Sequence, residues 1–232
     1  MKPSQQPIAI TLIDLGKVDE LALQTQSAVL DDQERQRWQR LRQPLHQRRF
    51  LAAHVALRYV LADWLGSKAE QLAFAAGEYG KPGLRDAGID FSFSHSGDWA
   101  LLAIGPDALG IDIEALIDRP SERLAQQVLN PDELAQWSSL AEAERSPALT
   151  DAWTAREALL KADGGGLRWD LQRARIPSQL PGWAEIRGQQ RNWWLQKLSA
   201  PPGFAACLAT GEPVEPPTTY RFNWQTLQPE PT

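Results

Sequence analysis

The segment Phe91-Ser92-Phe93-Ser94-His95-Ser96-Gly97-Asp98-Trp99, continued by residues 100–104 and then by Leu109-Gly110-Ile111-Asp112-Ile113-Glu114, decides the fold. Its first four residues alternate apolar and polar, the period of a half-buried strand. Ser96-Gly97-Asp98 supplies turn chemistry and residues 99–104 return as a second strand, so a hairpin is predicted. Residues 109–114 form a third strand. Upstream lie a short strand at 8–13 and an arginine-rich helix opened by Asp31-Asp32 and running to about Leu41. Pro44 breaks that helix, and a long helix follows over 45–65. There Phe50, Leu51, His54, Leu57, Arg58 and Leu61 recur at helical spacing, and Gly66 ends the run. Downstream, Asn130-Pro131 opens a helix as N-cap and first helical residue, with Asp132 and Glu133 in a structural role at its positive end. A helix over 148–162 stops at Gly164-Gly165-Gly166. Strands are expected at 167–171, 174–176, 183–186, 193–198 and 204–210, and the proline-rich tail after Gly211 reads as loosely held. Strands and helices do not alternate strictly, which selects an α+β fold with mostly antiparallel sheet. The element order repeats once per half, with helices 45–65 and 148–162 in matching places. This divides the chain into an N-terminal half, 1–105, and a C-terminal half, 106–232.

With 232 residues the chain can bury a core without staples. A net charge of −5 argues against a general nucleic-acid binder. One cysteine, Cys207, excludes an internal disulfide framework and a cysteine-based zinc site. Set in an apolar strand, it reads as inert packing. Three histidines, His46, His54 and His95, are too few for a histidine-rich metal cluster. No apolar run approaches a membrane span and the polar N-terminus lacks a signal core, so a cytoplasmic protein is expected. The tryptophans Trp99, Trp153, Trp193 and Trp194 read as packing. The average charge hides a distribution: residues 33–60 carry seven arginines against Glu34, whereas residues 61–150 carry six basic and fifteen acidic groups. Arginine forks suit phosphate.

Four constellations can carry chemistry. Asp112 and Glu114 are two apart on a strand and share a face beside Ile111 and Ile113, where two carboxylates repel unless a hard cation joins them. A strand running out into solvent at Glu114 gives the same pattern. In Trp153-Thr154-Ala155-Arg156-Glu157-Ala158-Leu159-Leu160-Lys161, Glu157 and Lys161 share a helix face. They suit either a surface ion pair or a third carboxylate with a phosphate-binding cation. Ser92-Phe93-Ser94-His95-Ser96-Gly97 crowds hydroxyls and an imidazole into a turn. It lacks the G-x-S-x-G elbow of a serine hydrolase and fits turn chemistry or a phosphate-binding turn. Gly80-Lys81-Pro82-Gly83 is a rigid turn presenting a lysine. There is no Walker A or Rossmann glycine pattern.

In their joint order, these motifs resemble the 4'-phosphopantetheinyl transferases of the Sfp type, the larger monomeric class, over roughly residues 33–176. The resemblance implies two similar α/β halves related by a pseudo-twofold, with coenzyme A in the cleft between them. It implies transfer of the phosphopantetheine arm of coenzyme A to a serine hydroxyl of an acyl or peptidyl carrier protein, with release of adenosine 3',5'-bisphosphate. Carried over by position, Asp112, Glu114 and Glu157 match the magnesium ligands (manganese being the alternative metal). Lys161 matches the lysine on the diphosphate, and Ser94 and His95 the pair on coenzyme A phosphates. Lys81 matches the G-K-P lysine near the nucleotide, Arg49 the arginine reaching the 3'-phosphate, and Arg37 a further basic contact. Glu157 is the candidate base for the carrier serine, with Lys161 beside it. Three positions depart from the family pattern. Ser92 stands where asparagine is common, Arg156 replaces a lysine, and Glu34 falls where relatives often carry a lysine. The expected partners are coenzyme A and a carrier protein, with no nucleic acid or membrane, and the expected state is a monomer. A coenzyme A or nucleotide-phosphate binding module without transfer, or a magnesium-dependent phosphohydrolase, are the alternative readings.

Overall fold

The computed structural model describes residues 8–85, 87–165, 170–215 and 217–232. Along the chain run β1 (Ala9–Asp14), α1 (Glu20–Gln26), α2 (Asp32–Arg40), α3 (Pro44–Leu65), β2 (Phe74–Ala76), β3 (Pro82–Leu84), β4 (Asp90–Ser96), β5 (Trp99–Gly105), β6 (Leu109–Ala115), α4 (Glu122–Val128), α5 (Pro131–Ser139) and α6 (Glu142–Asp163). They are followed by β7 (Ala174–Arg175), β8 (Gly182–Ile186), β9 (Asn192–Lys197), β10 (Phe204–Thr210), β11 (Thr218–Asn223) and β12 (Gln228–Pro231). Two five-stranded sheets result, ordered β12-β11-β1-β5-β4 and β6-β10-β9-β8-β7, beside the small β2-β3 hairpin.

Local chemistry sets the boundaries. Asp31 caps α2 through the Glu34 amide, and the Glu34 carboxylate returns the bond to the Asp31 amide. Pro44 sits in the first turn of α3, and Gly66 closes it at φ 62°. Asn130 caps α5 as the sequence predicts. Alternation along β5 then separates two interiors. Ala100, Leu102 and Ile104 join Leu51, Val55 and Leu61 of α3, while Leu101 and Ala103 join Ile111, Ile113 and Leu208 of the second sheet. The other face of that sheet, with Trp193, Leu195, Cys207 and Ala209, packs on Ala155, Ala158 and Leu159 of α6. The layers are helix, sheet, sheet, helix, and each sheet carries one 22-residue helix. This is the expected α+β architecture. No helix among the described residues is long and apolar enough to cross a membrane.

β4 and β6, each the last strand of its sheet, meet side chain to backbone. The Leu109 amide donates to Asp90 Oδ2 at 3.0 Å, the Ile111 amide to Ser92 Oγ at 3.0 Å and the Ala115 amide to Ser96 Oγ at 3.1 Å. The polar face of β4 is therefore spent on β6 and not on water. Ser92 has a definite task here, because its hydroxyl satisfies a buried amide.

Three sequence readings are corrected. The tail after Gly211 is not loosely held: β11 pairs in parallel with β1, and β12 with β11. Phe222 is buried there, and the Trp224 indole donates to the Asp14 carbonyl at 2.7 Å. The terminal hairpin thus returns to the sheet of the first half. α6 begins at Glu142 with Pro147 inside it, not at 148. Leu171 opens a 3-10 turn (Leu171–Arg173) instead of ending a strand, and Leu167 lies outside the described residues.

Two buried groups give expected results. Cys207 is 2% exposed, and burial, helped by the charge of Asp112, pushes its thiol up to about 12. Iodoacetamide at pH 8 should leave the native protein's mass unchanged and add one adduct only after denaturation. The second is Arg58, fully buried under α2. Its Nε donates to Glu34 at 2.7 Å, its Nη2 to Asp31 at 2.8 Å, and its Nη1 to the Ala69 and Leu72 carbonyls. A buried guanidinium is tolerated because its donors are met in this way. Burial pushes the Glu34 carboxyl up, but hydrogen bonds from His54 and the Asp31 amide, with the charges of His54 and Arg58, outweigh it and hold it below its ordinary value. The ionised carboxylate therefore adds stability above its unfolded value of about 4.3 that is lost as pH falls through the lower folded value. Urea midpoints should drop between about pH 5 and pH 3, and Glu34→Gln should flatten that acid limb.

Candidate functional site

Gly110 allows the site to exist. On the β6 face that carries Asp112 and Glu114, a Cβ at position 110 would lie 2.1 Å from the Ala158 carbonyl oxygen and 2.4 Å from the Ala162 nitrogen. With hydrogen there, α6 lies directly on β6 and sets Lys161 against Asp112. Lys161 Nζ donates to Asp112 Oδ1 at 2.6 Å and to Ser94 Oγ at 2.9 Å, and Ser94 Oγ donates to the same Oδ1 at 2.7 Å. Asp112 is 1% exposed, and its second oxygen, Oδ2, is buried without a hydrogen-bond partner.

Two more carboxylates face this pair. Burial pushes Glu157 up, and the charge of Asp112 adds to it against Lys161. Burial likewise pushes Glu114 up, as do Asp112 and Glu157, against a bond from the Ser96 hydroxyl and the charge of Lys161. Three carboxylates thus share one field with a single lysine. Among the described residues, no three such groups converge on one point as the side chains lie. The donor set nevertheless fits a hard divalent cation: the ligands are carboxylate oxygens, and Asp112 Oδ2 is a buried acceptor without a hydrogen-bond partner.

Beside the carboxylates two cavities share Gly80, Pro82 and Phe93. The smaller, about 230 Å³, is lined by Lys81, Ser92, Leu160, Lys161 and Gly164 among others. The larger, about 350 Å³, is lined by Arg37, His54, Phe74 and His95 with Asp31 and Glu34. Lys161 links them to the carboxylates, since it lines the smaller cavity and holds Asp112. Burial pushes the His95 imidazole down, and His54, Lys161 and Arg49 push it the same way. The larger cavity thus carries Arg37 and His95 opposite the carboxylates of Asp31 and Glu34, whereas the smaller one carries Lys81 and Lys161.

The sequence-predicted residues divide. Ser94, Asp112 and Lys161 form one bonded cluster with Glu114 and Glu157 around it; Arg37 and His95 line the larger cavity. Lys81 lines the smaller cavity but donates to Asp90 at 2.5 Å and the Leu109 carbonyl at 2.9 Å, so it also ties the turn to β6. Arg49 pairs with Asp98 of the hairpin turn at 2.8 Å and does not line the larger cavity. Arg156 is fully buried on Glu133. Sequence reasoning missed His54 as a pocket residue because its helical spacing filed it with the core face. The signal that could have found it is Glu34, which departs from the family pattern one helix away.

Residues 108–209 match the model of the 4'-phosphopantetheinyl transferase superfamily. The chain is 31% identical over 216 residues to the provisionally named 4'-phosphopantetheinyl transferase slr0495 of Synechocystis sp., covering 87% of this chain and 88% of that protein. It is 36% identical over 156 residues to 4'-phosphopantetheinyl transferase HetI of Nostoc sp., 64% of this chain and 65% of HetI. To 4'-phosphopantetheinyl transferase Sfp of Bacillus subtilis it is 24% identical over 183 residues, 77% of this chain and 81% of Sfp.

Proposed function

Because the chain belongs to the 4'-phosphopantetheinyl transferase superfamily, we propose that it moves the phosphopantetheine arm of coenzyme A onto a serine hydroxyl of an acyl or peptidyl carrier protein. The observation that carries this reading is the Asp112–Lys161–Ser94 cluster, with Glu114 and Glu157 around it, beside a cavity lined by Lys81 and Lys161. We take residues 1–105, completed by the terminal hairpin β11–β12, and the rest of 106–232 as the two halves, with coenzyme A lying along their cleft. The carrier serine oxygen bonds to the β-phosphorus as that phosphorus parts from the bridging oxygen. Adenosine 3',5'-bisphosphate leaves with the electron pair, and the serine proton passes to Glu157.

Such a transfer depends on positioning and charge neutralisation more than on covalent chemistry. Asp112, Glu114 and Glu157 would hold a magnesium or manganese ion, which when bound neutralises diphosphate charge. Lys161 meets the diphosphate with its ammonium. Ser94 would meet the diphosphate beside Lys161, Lys81 would act from the smaller cavity and His95 and Arg37 from the larger, and Arg49 would reach the coenzyme only by leaving Asp98. With no metal bound, burial and the charge of Asp112 hold the Glu157 carboxyl above its ordinary value.

Intact-mass measurement of fatty-acid, polyketide and peptide-synthetase carriers with coenzyme A tests the reading. One phosphopantetheine should appear on the carrier with magnesium and vanish with excess chelator. Coenzyme A binding without any carrier product would favour a binding module. Phosphate or phosphopantetheine released with no carrier present would favour a hydrolase.

A further inference from the structure

The two β6 carboxylates of the candidate site are met by serines of β4 in a regular pattern. Nineteen residues apart, Ser92 Oγ accepts from the Ile111 amide and Ser96 Oγ from the Ala115 amide. Eighteen residues apart, the Ser94 hydroxyl donates to Asp112 Oδ1 at 2.7 Å, and the Ser96 hydroxyl bonds to the Glu114 carboxylate. Constant offsets mean that the two strands run in the same direction, so positions 94 and 96 stand beside positions 112 and 114. Ser96 therefore serves two groups at once. The Ala115 N–H takes its oxygen at 3.1 Å. Its one proton is left for Glu114, because an ionised carboxylate only accepts. The Ala115 amide belongs to the peptide bond that leaves Glu114. One hydroxyl thus ties the Glu114 side chain back to its own backbone.

Asp112 has other anchors: it is buried, and Lys161 and Ser94 share one of its oxygens. Glu114 is only half-buried and its side chain has one more rotatable bond, so it has more freedom to lose on taking up a cation. The Ser96 bond removes part of that freedom in advance. As a single neutral donor it leaves further lone pairs of the carboxylate to a cation. We propose that Ser96 is a positioning residue for Glu114, holding this carboxylate ready for the divalent cation and so setting how tightly the protein takes up metal. Its role rests on the transferase reading, which supplies the cation. Bonds that orient a metal-binding side chain from behind are worth about ten- to a hundredfold in affinity or activity. The bond from the Ala115 amide is a separate, structural task of the same hydroxyl. The two tasks can be told apart, because only one of them runs through the Glu114 side chain.

Titration of the full chain with Mn²⁺, followed by the electron paramagnetic resonance of the free ion, reads metal uptake with saturating coenzyme A and no carrier. Ser96→Ala should weaken Mn²⁺ binding by about tenfold or more. Ala115 is exposed, so water can meet its amide in that variant, and the melting temperature serves as the fold control. Ser96→Thr, which keeps the hydroxyl, should bind Mn²⁺ within about threefold of the wild type. In a Glu114→Ala background, adding Ser96→Ala should change the affinity by less than about twofold, since the two residues act as one unit. An equal loss in both backgrounds makes Ser96 structural only and overturns the assignment, as does unchanged Mn²⁺ affinity in a folded Ser96→Ala variant. Excess magnesium should return carrier modification by Ser96→Ala to the wild-type rate. A deficit that persists at saturating magnesium places Ser96 in the chemistry and also overturns the assignment. No Mn²⁺ uptake by the wild type overturns it together with the metal set. The expected loss of Mn²⁺ affinity, in a protein that modifies no carrier, overturns the transferase reading alone and leaves Ser96 as a positioning residue.

Discussion

Asp112→Ala should lower the rate of carrier modification on the order of a thousandfold, a loss of about 4 kcal/mol of barrier stabilisation. Asp112 is the residue on which the cluster converges: one oxygen takes both Lys161 and Ser94, and the other is buried with no partner. Removing it takes one carboxylate from the proposed metal set and frees Lys161 from its place. Asp112→Asn, nearly isosteric, separates charge from shape. It keeps an oxygen for Lys161 and removes the negative charge, so it should fall nearly as far. Lys161 retains 29% side-chain exposure and can turn to water, so neither variant should unfold. Carrier mass gained per minute at saturating coenzyme A is the readout, with circular dichroism as the fold control. Transfer within threefold of wild type in either variant would remove Asp112 from the metal set.

Gly110→Ala should be among the most destabilising single-methyl changes the chain can take. The new Cβ would meet backbone: the Ala158 carbonyl oxygen at 2.1 Å and the Ala162 nitrogen at 2.4 Å. Backbone within a helix cannot swing aside as a side-chain tip can, so α6 must lift from β6 as a body. Overpacking of this kind costs about 3 kcal/mol or more. For a chain of this length that lowers the melting temperature by roughly 6–12 °C. Activity should fall further than stability, because lifting α6 carries Glu157 and Lys161 away from Asp112. A melting temperature within 2 °C of wild type would refute the close approach of α6.

Much of this was legible in the sequence, and the reasons differ by element. The hairpin at 91–105 and the strand at 109–114 announce themselves because their alternation and turn residues are local signals. Asn130-Pro131 is equally local. The start of α6 was hidden by Pro147, which reads as a breaker though the helix accommodates it near its beginning. β11 was hidden because its partner is β1, at the other end of the chain, and β12 because it pairs only with β11, in proline-rich surroundings that weaken any strand signal. The site residues were legible as types on faces, since Asp112 with Glu114 and Glu157 with Lys161 follow from period alone. Their partners were not. Arg49 to Asp98, His54 to Glu34 and Lys81 to Asp90 are pairings that only the packing of α3 on the first sheet, of α2 on α3 and of the turn before β3 on β4 creates.

The contact between β4 and β6 bears on association as well as on the site. Both are edge strands, and an open edge is a row of unpaired amides and carbonyls that can recruit another chain. Here the three amides of β6 at Leu109, Ile111 and Ala115 are each met by a β4 side chain nineteen residues upstream. The β6 edge, which carries the candidate site's Asp112, is therefore capped by β4 within a single chain. The constant offset also makes the match depend on parity: a one-residue slip of β4 would present Phe91 and Phe93 where Ser92 and Ser94 now stand. Ser92 and Ser96 thus shield the β6 edge from pairing with another chain.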